Sequence, residues 1–166
     1  ALFSYEAKLL SNVGRLREAL SFQLIAHATD EWGAPKTAQL ARAYANMGNL
    51  PAARSWLQRG VQLWPNHSGI RRYRRYIAGF YEQPSEALAT LDSMDAQASS
   101  GKNENEVWRS FVKAKAAHSE RLTAETARQI REAADQEKIS RENEILMLAA
   151  LGETQQALEA ANTTLN

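Results

Sequence analysis

The feature that most constrains this chain is a turn that recurs at a fixed distance. Gly14 is followed five residues later by Ala19, Gly48 by Ala53, and Gly152 by Ala157. Ala19 and Ala53 stand 34 positions apart, Ala53 and Ala87 again 34, and the 70 positions from Ala87 to Ala157 leave room for two further units. The stretch from Arg42 to Ala53 reads as a helix, a turn at Gly48 and a second helix that begins near Pro51. Glycine suits the left-handed end of a helix, and a helix tolerates proline in its first turn. The second helix runs on through Trp56, Leu57, Val61 and Leu63 and stops at Trp64, because the residue before Pro65 is pushed out of the helical region. A period of this length means stacked helical hairpins, none of which buries its apolar faces alone.

The second unit places Leu40, Ala41, Tyr44, Gly48, Ala53, Leu57, Gly60 and Pro65 at offsets that resemble the tetratricopeptide repeat (TPR) family, a 34-residue helix-turn-helix pattern. The resemblance implies an all-α, right-handed helical-repeat solenoid of about five units, at 1–33, 34–67, 68–101, 102–137 and 138–166. These form one domain over 1–166, expected to be a fragment of a larger protein. Units three and four depart from the pattern. Unit three has Tyr81, Glu82, Gln83, Pro84 and Ser85 where the turn glycine belongs. Its apolar stripe of Ile70, Tyr73, Ile77 and Phe80 sits one residue early, which predicts a turn longer by one. Unit four follows the polar segment 97–104 and has no glycine between Ser119 and Thr123. The apolar spacings of Trp108, Phe111 and Val112, and of Ala127, Ile130 and Ala134, are helical, and strand alternation is absent.

Composition narrows the function. With 44% hydrophobic residues, the chain has the make-up of a folded domain rather than a disordered one. Twenty Lys and Arg against 19 Asp and Glu argue against a generic polyanion binder. The absence of cysteine removes disulfides, thiolate metal sites and cysteine nucleophiles, and is compatible with cytosol and periplasm alike. No stretch approaches the roughly 20 apolar residues of a membrane-spanning helix.

The search for chemistry is negative. His27, His67 and His118 are isolated from one another and from acids at zinc-ligand spacing, and a lone histidine is ordinarily surface or core filler. The scattered glycines form no phosphate loop or dinucleotide fingerprint, and no nucleophile elbow is present. Asp30 with Glu31, Glu104 with Glu106, and Glu142 with Glu144 are acid pairs, but acids near helix starts ordinarily cap the helix and offset its dipole. The expectation is therefore no enzyme, no metal and no cofactor.

One pattern points to binding. In the resembling family the first helix of each hairpin lines a concave face. The repeat register places Lys8 and Asn12, Arg42 and Asn46, Arg71 and Arg75, and Arg109 and Lys113 on it. Each pair is spaced i to i+4 and so shares one side of its helix. Guanidinium groups grip carboxylates in bidentate fashion, which suits an acidic peptide or a chain-terminal carboxylate, while the same cations also fit a solvated helix face. Arg71, Arg72, Tyr73, Arg74, Arg75 and Tyr76 interleave base and aromatic as nucleic-acid binders do, but Tyr73 falls on the buried stripe, so nucleic acid is disfavoured. The chain thus reads as a non-catalytic protein-interaction scaffold. Alternative settings are the repeat region of a bacterial transcriptional regulator, that of an envelope or polysaccharide-export assembly protein, or an accessory domain of an enzyme. The last helix, with Ala157, Leu158, Ala161 and Leu165 apolar, is a second expected contact surface, for a continuing solenoid or another copy.

Overall fold

The computed structural model describes residues 2–29, 33–97 and 105–165. The acids Asp30, Glu31 and Glu104, and most of the polar segment 97–104, lie outside the described residues. Ten helices and no strand occur among the described residues: α1 (Leu2–Asn12), α2 (Leu16–Ala28), α3 (Ala34–Asn46), α4 (Leu50–Leu63), α5 (Ser68–Tyr81), α6 (Pro84–Ala96), α7 (Glu106–Ala117), α8 (Glu120–Asp135), α9 (Arg141–Ala150) and α10 (Thr154–Leu165). Among the described residues, no helix is long and apolar enough to cross a membrane.

Local chemistry explains the helix boundaries. Pro35, Pro51 and Pro84 sit in the first turns of α3, α4 and α6, where a missing N–H costs nothing. The side chains of Asn49, Ser119 and Ser140 accept from the N–H groups of Ala52, Leu122 and Asn143, at 3.2, 3.5 and 3.3 Å, satisfying otherwise orphaned donors at the starts of α4, α8 and α9. Gly14, Gly48 and Gly152 have φ of +78°, +78° and +84°, so each takes the left-handed conformation that closes its hairpin. Ala19, Ala53, Ala87 and Ala157, the residues that define the period, are all buried.

The two irregular turns have different explanations. In the fourth hairpin, His118 stands two residues before α8, as Gly14, Gly48 and Gly152 stand before α2, α4 and α10, and it takes the same left-handed conformation at φ 47°. The turn is conserved in shape although its glycine is not there. A side chain in this conformation carries a steric cost of about 1–2 kcal/mol, partly returned to the unfolded state when glycine replaces it. His118→Gly is therefore expected to stabilise the second half of the chain by about 0.5–1 kcal/mol in urea denaturation, and His118→Ala to give no gain. In the third hairpin the expected longer turn does not occur. Helix α5 has 14 residues against 13 in α3, and only Glu82 and Gln83 separate it from α6. The extra residue is absorbed as helix, because Tyr81 still finds an α-helical partner set and a hydrogen bond to Asn46.

The chain divides into two compact units, Ala1–Tyr81 and Glu82–Asn166, and the division falls between the two helices of the third repeat. In the first unit, α1 pairs with α2 and α3 with α4, while α3 also packs on α2 and α5. Its core holds Ala19, Leu40, Ala41, Ala53, Leu57, Ile70 and Ile77. In the second unit, α6, α7, α8, α9 and α10 each pack on the next, around Leu91, Met94, Trp108, Phe111, Ile130, Met147 and Leu148.

The near-neutral total conceals a division of charge. Residues 1–81 contain eleven Lys and Arg against four Asp and Glu, a net of +7, and residues 82–166 contain nine against fifteen, a net of −6. Whole-chain neutrality therefore does not describe either unit. The first is a basic module.

Candidate functional site

Helices α3 and α5 are neighbouring first helices of successive hairpins, and they place the sequence-predicted residues of the first unit most definitely. Arg42 and Asn46 lie one turn apart on α3. The Arg42 guanidinium sits 4.9 Å from the centre of the Tyr76 ring and 5.9 Å from that of Tyr73. Such a cation over aromatic faces is drawn by the ring quadrupole. The Tyr81 hydroxyl donates to Asn46 Oδ1 at 2.8 Å, and the Tyr76 hydroxyl approaches the same oxygen at 3.5 Å. Burial, reinforced by Tyr76, pushes the Tyr81 pKa well above the usual tyrosine value, with Arg42 pulling the other way. Asn46 thus fastens α3 to α5 as an acceptor of two tyrosines.

Arg71 and Arg75, one turn apart on α5, are half-buried and have interactions of their own. Arg72 is exposed with its guanidinium 5.0 Å from the centre of the Tyr73 ring. Lys8 and Asn12 are exposed on α1. In the second unit Arg109 has a structural duty. It pairs with Asp92 at 2.8 Å and with Asp95, both on α6, and Asp95 also accepts from the buried Asn105 at 2.6 Å. Burial works against the Arg109 charge, but the hydrogen bonds to Asp95 and Asp92 outweigh it and raise its pKa. Lys113, one turn further along α7, is exposed.

Tyr76 and Tyr81 were not among the sequence-predicted residues, yet they organise the α3–α5 contact. A signal existed: Arg42 and Tyr76 are 34 positions apart, so they occupy the same repeat position in successive hairpins.

The histidines have local roles. His27 is buried, with Nε2 3.5 Å from Thr37 Oγ1 and its ring edge-on to Trp56 at 4.8 Å. His67 Nδ1 accepts from the Gly69 N–H at 3.1 Å, at the start of α5. Among the described residues no group of three or more His, Asp or Glu is placed to hold a metal. Glu142 and Glu144 both stand in the first turn of α9, where acids offset the helix dipole. Glu144 is also buried and bound by Arg141 at 2.8 Å, while the same guanidinium reaches Asp135 at 2.7 Å, so Arg141 ties the start of α9 to the end of α8. Between α7, α8 and the α9–α10 turn lies an open cleft bordered by Lys115, His118, Glu120 and Glu153. Burial lowers the Lys115 pKa, and its ammonium lies 5.6 Å from the Phe111 ring centre.

The chain is similar to "MamA RS-1 ArsTM double mutant", with a TM-score of 0.53 and 17% identity, over 99% of this chain and 91% of that chain. MamA is a helical TPR-repeat protein. The fold is TPR-like. No family model and no curated protein matches the chain. At 17% identity the likeness concerns the arrangement of helices alone.

Proposed function

We propose that this chain is a non-catalytic scaffold for protein partners, and that the α3–α5 face of its basic first unit takes up an acidic peptide. The observation that carries this is the net charge of +7 on residues 1–81 together with the Arg42 guanidinium held against Tyr76 and Tyr73. A guanidinium already fixed on an aromatic surface loses less conformational entropy when it meets a carboxylate than a mobile lysine does. Arg71 and Arg75 extend the cationic surface along α5, and Lys8 and Asn12 lie on the first helix of the same unit. Arg109 contributes to the second unit's own structure through Asp92 and Asp95. Nucleic acid is the poorer ligand despite the charge, because Tyr73 and Tyr76 are buried and have no ring face to offer a base.

The test is fluorescence anisotropy with a labelled Asp- and Glu-rich peptide, beside neutral and basic peptides of the same length. The acidic peptide is expected to bind alone of the three, and more weakly at high salt, because exposed charges are screened beyond roughly 10 Å at 0.1 M. The Arg42→Glu/Arg71→Glu/Arg75→Glu variant, at unchanged helicity, should lose at least about tenfold in affinity, or about 1.4 kcal/mol. Equal binding by the wild type and this variant would remove the face from consideration.

A further inference from the structure

The fourth hairpin departs from the repeat at two neighbouring positions. Its turn residue is His118, where the first, second and fifth hairpins have Gly14, Gly48 and Gly152. Three residues earlier stands Lys115, where those hairpins have the small residues Ser11, Ala45 and Ala149. Both departures carry a cost. His118 holds a left-handed backbone that glycine would take without strain. Lys115 is half-buried, and burial works against its charge. Costly departures from a local rule gather where a protein makes use of them.

Both residues border the open cleft between α7, α8 and the α9–α10 turn. Its volume of about 620 Å³ is in the range of small-molecule sites. Ala114, Ala150 and Leu151 give it apolar wall, and its charged groups besides Lys115 and His118 are Glu120 from α8 and Glu153 from the start of α10. The Lys115 ammonium stands beside the Phe111 ring, which is fully buried. Because burial lowers its pKa, a larger share of this amine is unprotonated near neutral pH than an exposed lysine retains, and the unprotonated amine is the nucleophile. An imidazole on the same cleft is the side chain suited to accept a proton at that pH.

We propose that Lys115 is an acylation site, whose amine takes an acyl group from the uncharged end of a thioester with His118 as proton acceptor. The Lys115 nitrogen attacks the thioester carbonyl carbon. A C–N bond forms as the C–S bond breaks, and the sulfur leaves as thiolate with the bonding pair. The nitrogen gives up one proton to His118, which returns it to the thiolate, so the products are an amide and a thiol. Charge selects the donor. With Glu120 and Glu153 on the cleft and a net of −6 on residues 82–166, an acyl phosphate is repelled, because its charge adjoins the reacting carbon. The amide product is neutral, so acylation removes the lysine cation from the cleft and leaves its two acids. The cleft belongs to the second unit alone, and this inference does not depend on the α3–α5 reading.

The experiment incubates the full chain with S-acetyl-N-acetylcysteamine, a neutral thioester, or with acetyl phosphate, and reads acetylation at every lysine by tandem mass spectrometry over time. With the thioester at neutral pH, Lys115 should react at least about threefold faster than Lys113, the exposed lysine on the same helix. The ratio should fall at high pH, where an exposed lysine amine is unprotonated as well, and should vanish in urea, where the cleft is gone. His118→Gly, which suits the backbone there, should slow Lys115 to the rate of Lys113 and leave Lys113 unchanged. If that variant loses helicity, His118→Asn replaces it, because asparagine tolerates the left-handed conformation. Equal rates at Lys115 and Lys113 in the wild type overturn the proposal. A preference for Lys115 that is as large with acetyl phosphate overturns the thioester as donor. An unchanged Lys115 rate without the imidazole overturns the part given to His118.

Discussion

Truncating Trp108 to alanine lowers the stability of the second unit by about 3–5 kcal/mol, the largest loss expected from any single truncation in the chain. Trp108 lies on α7 and is only 2% exposed, the bulkiest of the fully enclosed side chains. It meets Phe111 edge to face, with ring centres 6.4 Å apart, an arrangement the aromatic quadrupoles favour. Phe111 and Val112 follow at i+3 and i+4, so the three share the side of α7 turned inward, while Arg109 on the adjoining side fixes α7 to α6 through Asp92 and Asp95. Removing the indole leaves a void in which those neighbours lose packing atoms, and the ion pairs on the adjoining side resist the collapse that would fill it. Against a total stability of about 5–15 kcal/mol, such a loss is enough to unfold much of the unit at physiological temperature. Trp108 is the only tryptophan in residues 82–166, so intrinsic fluorescence fails as a readout in this variant, and urea denaturation followed by far-UV circular dichroism is the measurement. Trp108→Phe, which keeps most of the volume, should cost less. A change below about 1 kcal/mol for the alanine variant would mean that the centre of this core lies elsewhere.

The parts of the fold that were legible in the sequence are those written as steric requirements. A left-handed turn residue demands glycine, and close helix approach demands alanine, so Gly14, Gly48 and Gly152 and their partners Ala19, Ala53 and Ala157 announced three of the five hairpins. The fourth was obscured because its turn makes the same demand and is answered at a cost by His118, which no composition rule reveals. The surplus residue in the third hairpin could be placed in the turn or in the helix on sequence grounds alone. The hydrogen bond from Tyr81 to Asn46, a long-range contact, decides for the helix. Electrostatics were legible only in part. Register puts Arg42, Asn46 and Arg109 on particular helix sides, but it is silent on partners 17 to 35 positions away, such as Asp92 for Arg109 or Tyr81 for Asn46. The division of charge was hidden for another reason. Net charge is summed over a chain, and nothing in the residues around Tyr81 and Glu82, with helix on both sides, marks the boundary between units.

Replacing Gly60 by leucine destabilises the first unit by about 3 kcal/mol, while replacing it by alanine leaves stability within about 1 kcal/mol of wild type. Gly60 lies within α4, where glycine ordinarily costs a helix about 1 kcal/mol relative to alanine, so its presence needs a reason. The reason is the distance to α5 and α3. A Cβ at this position would lie 2.6 Å from Ile70 Cδ1 and 3.6 Å from Thr37 Cγ2, and both side chains are completely buried. Alanine gains about 1 kcal/mol in helix propensity and spends a comparable amount on displacing the tip of Ile70, which has some freedom at its last carbon. Leucine meets the same contact with three further carbons and has no path around it. Either α4 moves away from α3 and α5, or Ile70 leaves its rotamer and disturbs the helix that carries Tyr73 and Tyr76. The two outcomes are separable, because the second also weakens the Arg42 platform while the first leaves it intact. Urea denaturation of both variants measures the stability change. Ile70→Val in the Gly60→Ala background, by removing the clashing Cδ1, should recover the propensity gain that Ile70 otherwise cancels. If Gly60→Leu were as stable as wild type, close approach of α4 would not be what holds glycine at this position.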